Sequence, residues 1–251
     1  MHTRAQSQPE TTKTDQPPIS PDFSGENAIP GRTPDRIMAD HLERYKFAAG
    51  YVRDKSILDI ACGAGYGSKI LAEAGASFVD AVDIDDRIIN YARSRYTHPR
   101  IRFFTGNVLD YQAGAPYDII TSFETIEHID RHLAALENLN SLLAKGGLLI
   151  VSTPNRTITS PKSRGMDDKP ENRFHVREFL LYELLEALAE KGFLPQRPYY
   201  GQRQGLFFRT GFLQNFYNRY FNPSEMTSPR VTPVIGYRQP RYFVVVAKKR
   251  G

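Results

Sequence analysis

Residues 57–68 read ILDIACGAGYGS, and the fold turns on how this stretch is read. With Ser56 it begins as an apolar run, a strand over 56–61 that stops at a cluster of glycines. Gly63, Gly65 and Gly67 then open a helix over 66–75, which ends at Gly75. Glycine lets a backbone turn tightly and approach a ligand without interference from a Cβ. Working outward, strands are expected at 78–84, 101–106, 117–123 and 147–154, and helices at 87–96, 131–144 and 176–192. The stretches FLPQRPYY and RYFVVVAKK read as two late strands, which brings the count to seven. Upstream, TPDRIMADHLERYKFAAGYV reads as an amphipathic helix, with Thr33 as its N-cap and Pro34 in its first turn. Alternating strands and helices predict an α/β fold: a doubly wound, mostly parallel, Rossmann-like sheet with right-handed crossovers. Ligands of such sheets bind beyond the carboxyl ends of the strands, near the point where strand order reverses.

The chain has 251 residues, 40% hydrophobic and 24% charged, as expected of a globular protein that needs no disulfides. Its one cysteine, Cys62, excludes a disulfide within the chain and fits a reducing compartment. No apolar run approaches the roughly 20 residues that cross a bilayer, and the start lacks the apolar stretch of a secretory signal. Cytoplasm is the expected location. Residues 1–30 are polar and rich in Pro, Thr, Gln and Ser, which predicts a flexible tail ahead of one domain over 31–251. Residues 201–240 read as an insertion between the last two strands, holding the aromatic cluster GLFFRTGFLQNFYNRYF, a candidate substrate cover. Net charge is +5, and residues 191–251 hold eleven Lys or Arg against one acid, Glu225. Arg203, Arg209 and Arg219 in that half are candidates to hold phosphate or carboxylate groups.

Asp83 closes the second strand, where an acid can accept hydrogen bonds from ribose hydroxyls. Together with the glycines it indicates a nucleoside-bearing cofactor. The spacing is G-x-G-x-G, not the G-x-G-x-x-G of dinucleotide sites. Asp59, just ahead of the loop, would repel a pyrophosphate but can hold an ammonium through water or backbone. S-adenosylmethionine carries an ammonium, a sulfonium and a ribose and no phosphate, so the chemistry favours it.

At this point the sequence resembles the class I S-adenosylmethionine-dependent methyltransferases over about residues 40–195. ILDIACGAGYG looks like the family's first motif, with Ala61 where many members have glycine, and AVDID looks like the second. FFTGNVLDY resembles the third and GGLLIVSTPN the fifth-strand segment. The resemblance implies a donor site of Asp59, Ala61, Gly63 and Gly65, with Asp83 on the ribose and Ile84 beside it. It further implies that Asn107 accepts from the adenine amine, that Val108 offers its N–H to the ring, and that Phe123 lines the site. Arg44 on the first helix is a candidate partner for the methionine carboxylate, or belongs to a solvated helix face.

The segment FETIEHID, residues 123–130, follows the fourth strand and holds Glu124, Glu127 and His128 at i, i+3 and i+4. Buried carboxylates there need a positive partner. His175, between the fifth strand and the next helix, is placed to join them if the two strands are neighbours. Two carboxylates and two imidazoles offer four ligands to a divalent cation. This constellation resembles a metal-dependent subset, the ubiquinone-pathway O-methyltransferases and the enzymes that methylate small-RNA 3′ ends. The resemblance implies Glu124, Glu127, His128 and His175 as ligands, with magnesium by analogy, although imidazole suits manganese, iron or zinc better. Related methyltransferases keep a Glu-His pair without metal, and His128 or His175 is then a candidate catalytic base. The expected reaction is O-methylation of a small molecule: a phenol or catechol, a secondary-metabolite intermediate or a sugar. RNA ribose methylation is the runner-up, and a non-catalytic S-adenosylmethionine-binding scaffold the third reading.

Overall fold

Ile57, Leu58 and Ile60 of β1 (Ser56–Ile60) are at most 1% exposed, because the strand is covered on both faces. In the computed structural model, which describes residues 28–206, 229–236 and 238–251, β1 lies between β2 (Phe78–Asp83) and β4 (Tyr117–Phe123), parallel to both. β3 (Ile101–Thr105) pairs in parallel with β2, and β5 (Leu143–Pro154) with β4. β9 (Arg238–Lys249) runs antiparallel beside β5, followed by β7 (Tyr200–Leu206) and β8 (Val231–Pro233). The order is β3-β2-β1-β4-β5-β9-β7-β8, with β6 (Phe193–Pro195) also on β9. The direction of winding reverses at β1, whose carboxyl end carries the glycine loop.

Among the described residues nine strands form where seven were expected. The sixth expected strand is broken in two: residues 195–200 lie opposite only 244–247 of β9, so the segment bulges between β6 and β7. Pro198 within it has no N–H to give to a ladder. β8 is the additional strand. It and most of β7 fall inside the expected insertion, so part of 201–240 is sheet. The aromatic cluster from Phe207 to Phe221, with Arg209 and Arg219, lies outside the described residues, as does the expected tail through residue 27.

Helices cover the two faces. On one, α1 (Asp35–Ala49) and α2 (Tyr66–Glu73) bury Tyr45, Ala48 and Leu71 against Ile57, Ile119 and Ile150. On the other, α4 (His132–Leu142) and α6 (Leu181–Glu190) bring Leu136, Leu139, Leu184 and Leu188 onto Leu58, Ile120 and Leu149. α3 (Asp86–Arg95) is capped by Asp85, whose carboxylate accepts from the Arg87 N–H, and the short α5 (Arg156–Thr159) follows β5. Pro34, not Thr33, occupies the N-cap of α1; the Thr33 hydroxyl instead accepts from the Ile29 N–H at 2.7 Å. The helix expected from residue 176 begins at Leu181, since the N–H groups of Val176 and Arg177 are taken by the Glu127 carbonyl. Among the described residues no helix is long and apolar enough to cross a membrane.

Candidate active site

A cavity of about 860 Å³ opens over the carboxyl ends of the parallel strands. Its first wall is the glycine loop. Ala61 (φ 58°) and Gly63 (φ 53°) are both left-handed, a conformation glycine adopts freely and alanine at a cost. The loop is pinned to β2, because Asp83 accepts the Gly63 N–H at 2.9 Å and the Asp85 N–H at 3.0 Å. Burial pushes the Asp83 carboxyl up, partly opposed by these bonds. Ile84, next along, is 69% exposed and turns apolar surface to the cavity. Asn107, Val108 and Phe123 complete this wall. The Asn107 side-chain oxygen already accepts the Leu109 N–H at 2.9 Å, which shapes the turn after β3.

Three residues expected at the donor stand behind the wall, and packing explains each. A Cβ on Gly65 would come within 2.8 Å of the Ala92 Cβ and 2.9 Å of the Phe103 ring, so this glycine serves the contact with α3 and β3. Asp59 is 1% exposed and accepts from the hydroxyls of Ser68 (2.6 Å), Thr121 (2.8 Å) and Tyr45 (3.1 Å). Burial raises its pKa to about 6 against those bonds. The Tyr45 ring lies directly over Gly67, where a Cβ would meet it at 2.0 Å. Arg44 is neither on the cavity wall nor on a solvated helix face. It is 1% exposed, donates to the Gln202 side-chain oxygen at 2.7 Å and stacks over the Tyr242 ring.

The carboxyl ends of β4 and β5 carry the acidic cluster. Glu127 and His128 sit in a single 3-10 turn (Ile126–His128), and His175 reaches them from the loop before α6. One ligand atom from each of Glu127, His128 and His175 lies within 4.8 Å of the others. Glu124, the fourth expected ligand, is not in this group: it takes a left-handed backbone (φ 51°) and accepts from the Ser152 hydroxyl at 2.7 Å. Glu127 is fully buried. One of its oxygens accepts from Thr153 at 3.0 Å, and the other, Oε1, has no partner among the described residues. Burial, then the neighbouring Glu124, push its carboxyl well above the usual range. A cation held beside that oxygen would reverse the shift, so the buried orphan oxygen fits a metal or a proton.

The two imidazoles have assigned tautomers. His128 Nδ1 is 3.0 Å from the Phe174 carbonyl, which only accepts, so Nδ1 carries the proton and Nε2 the lone pair. His175 Nδ1 donates to Glu178 at 2.6 Å, and its Nε2 accepts from Asn172 at 2.9 Å. The rings meet edge to face, 4.9 Å between centroids. Glu178, absent from the sequence-based site, is 1% exposed. Burial would raise it, but bonds from His175, Thr159 and Ser160 hold it below the usual carboxylate value. The available signal was the H-x-x-E spacing of 175–178.

A third wall joins α1 to β9: Arg36, Ile37 and His41 from the helix, Arg241 and Tyr242 from the strand. His41 is kept neutral, pushed well below its ordinary value by burial and by Arg44. No local pattern announces these residues, since only strand order brings β9 beside β5. Arg203, expected to hold ligand anions, is instead buried against Asp40 at 2.6 Å.

Comparison with known proteins supplies four further findings. A family model described as a methyltransferase domain matches residues 32–195. A Mycolicibacterium smegmatis protein named "Probable S-adenosylmethionine-dependent methyltransferase" is 32% identical over 173 residues, 68% of this chain and 65% of its own length. The chain thus spans just under two thirds of that relative. A ubiquinone biosynthesis O-methyltransferase of Xanthomonas campestris is 35% identical over 105 residues, 40% of this chain and 44% of its own. Among solved structures, an S-adenosylmethionine-dependent methyltransferase from Mesorhizobium loti superposes with a TM-score of 0.59 at 16% identity, covering 85% of this chain and all of that one.

Proposed function

The chain belongs to the class I S-adenosylmethionine-dependent methyltransferases, and on that premise we propose that it methylates a hydroxyl group of a small molecule. One observation carries the reading: the glycine loop with Asp83 and the Glu127–His128–His175 cluster line a single cavity, at neighbouring strand ends. S-adenosylmethionine, when bound, supplies an electrophilic methyl on a sulfonium. Asp83 would hold the ribose hydroxyls and Ile84 would pack on the adenine, while the left-handed turn through Gly63 would let the backbone close on the donor. The acceptor hydroxyl is held at the cluster, where His128 takes its proton on Nε2 while the Phe174 carbonyl fixes the opposite edge of the ring. With the donor in place, the hydroxyl oxygen would form the new bond to carbon as the carbon–sulfur bond breaks, that electron pair going to sulfur. Alignment in such a preorganised site supplies about 7–11 kcal/mol of barrier reduction.

Removing the Asp83 carboxylate tests the donor half. Asp83→Ala is expected to weaken S-adenosylhomocysteine binding about ten- to a hundredfold by calorimetry, the worth of a lost charge-assisted hydrogen bond. Unchanged affinity would remove the ribose role.

The spacing of the three donors favours a second reading of the same cluster. Glu127, His128 and His175 would hold a divalent cation, which lowers the pKa of a bound hydroxyl. Two imidazoles suit manganese, iron or zinc; magnesium rests on analogy alone. Chelation separates the readings. With a cation, treated protein is expected to lose turnover, regain it on adding manganese, and bind S-adenosylhomocysteine throughout. Full turnover after chelation leaves the imidazole alone as the proton acceptor.

A further inference from the structure

Strand order sorts the cavity from end to end. The donor cradle belongs to β1, β2 and the turn after β3; the Glu–His cluster to the ends of β4 and β5; and next across is β9, with Arg241 and Tyr242 on the wall. Arg241 therefore stands on the far side of the cluster from the cradle. It donates to the Tyr242 hydroxyl at 3.4 Å, and its guanidinium lies 5.8 Å from the centre of that ring. No carboxylate pairs with it among the described residues. Other arginines nearby are committed: Arg203 to Asp40 at 2.6 Å, Arg156 to Glu183 at 2.7 Å, and Arg44 to Gln202 at 2.7 Å. Arg36, on the same wall, also lacks a carboxylate partner among the described residues. Its end of α1 is tied to β7, beside β9, by the bond from Arg203 to the Arg36 carbonyl at 3.2 Å.

We propose that the acceptor is a hydroxy acid, with its hydroxyl at the Glu127–His128–His175 cluster and its carboxylate on Arg241. This rests on the hydroxyl-methylation reading and adds the acceptor's charge and direction. A guanidinium presents paired N–H donors that match the two oxygens of a carboxylate. Reversed in the cavity, the same acid would leave Arg241 without its partner and bring its charge toward Glu124, so the walls select one orientation. Arg36 adds positive charge along the approach, and Tyr242 lines the wall beside Arg241.

Homoprotocatechuate and hydroxytyrosol share a catechol and differ in whether the side arm ends in a carboxylate or an alcohol. Each is titrated calorimetrically into protein saturated with S-adenosylhomocysteine. The acid is expected to bind about ten- to a hundredfold more tightly than the alcohol, the range of a charge-assisted pair. Arg241→Gln is expected to erase that advantage and leave the alcohol's affinity unchanged, with Arg241→Lys between the two. Equal binding by the wild type, a preference that survives Arg241→Gln, or no binding of the acid would overturn the proposal. If the neutral catechol is methylated while the acid shows no advantage, hydroxyl methylation stands and the hydroxy acid falls. Wild-type protein that binds no S-adenosylhomocysteine would bring down both.

Discussion

His128→Ala is expected to slow methyl transfer to a catechol by about a hundred- to ten-thousandfold, the usual worth of a positioned proton acceptor. S-adenosylhomocysteine affinity is expected to stay at the wild-type value, because the ring is held by the Phe174 carbonyl and the His175 ring, on the loop before α6 and not on the donor cradle. The expectation follows from the tautomer. The Phe174 carbonyl commits Nδ1 to donation, so only Nε2 of this ring, beside Glu127 and His175, can accept a proton or a cation. Alanine removes that lone pair whether it accepts a proton or binds a cation, so both readings forecast the same loss. Single-turnover rates with saturating donor give the measurement, and an unchanged thermal midpoint confirms that the variant folds. Wild-type turnover in a folded His128→Ala protein would remove the cluster from the chemistry.

Asp59→Asn gives the second large effect, this time on stability. Burial raises the Asp59 carboxyl from 3.8 to about 6 in the folded chain, while an unfolded chain restores the ordinary value. The native state therefore binds this proton more tightly than the unfolded state. Below pH 4 the acid is neutral in both states and costs nothing. Between pH 4 and 6 the unfolded state ionises first, and stability falls as pH rises. Each tenfold difference in proton affinity between the two states is worth about 1.4 kcal/mol, so the loss approaches ~3 kcal/mol by pH 7. Asparagine does not titrate and keeps an acceptor oxygen for Tyr45, Ser68 and Thr121. The difference in urea unfolding free energy, wild type minus variant, is expected to fall by that amount from pH 4 to 7 in ligand-free protein. Parallel curves would mean that Asp59 ionises normally.

Residues 57–68 announced the central strand and its turn because β1 is apolar on both faces and the glycines mark where the backbone reverses. Asp83 reads from the sequence as a ribose ligand, and the structure adds partners that this reading lacks: its carboxylate accepts from the N–H groups of Gly63 and Asp85. What misled was side-chain direction, which local pattern does not encode. Arg44 and Asp59 share elements with true wall residues but point into packing. Gly65 looked like a ligand contact, yet its missing side chain makes room for Ala92 and Phe103. Side-chain direction also parts Glu124 from the group and sets Glu178 behind His175. A left-handed backbone turns the first toward Ser152, and the second closes on His175 from within the same loop. The basic wall was beyond local reading altogether, since Arg241 meets the cavity only through long-range pairing of β9 with β5.

The position of β9 also bears on the order in which the molecule is made. Ribosomes deliver the chain from its amino end, so β1 to β5 emerge while the strand that will cover the open side of β5 is still unmade. For that interval the nascent sheet exposes the ladder groups of Leu148 to Pro154, the residues later paired with β9. Such a bare rim invites pairing with another nascent chain. The wall of Arg241 and Tyr242 is thus completed by the same late event that makes the sheet safe, and before it no half-made chain has a finished pocket.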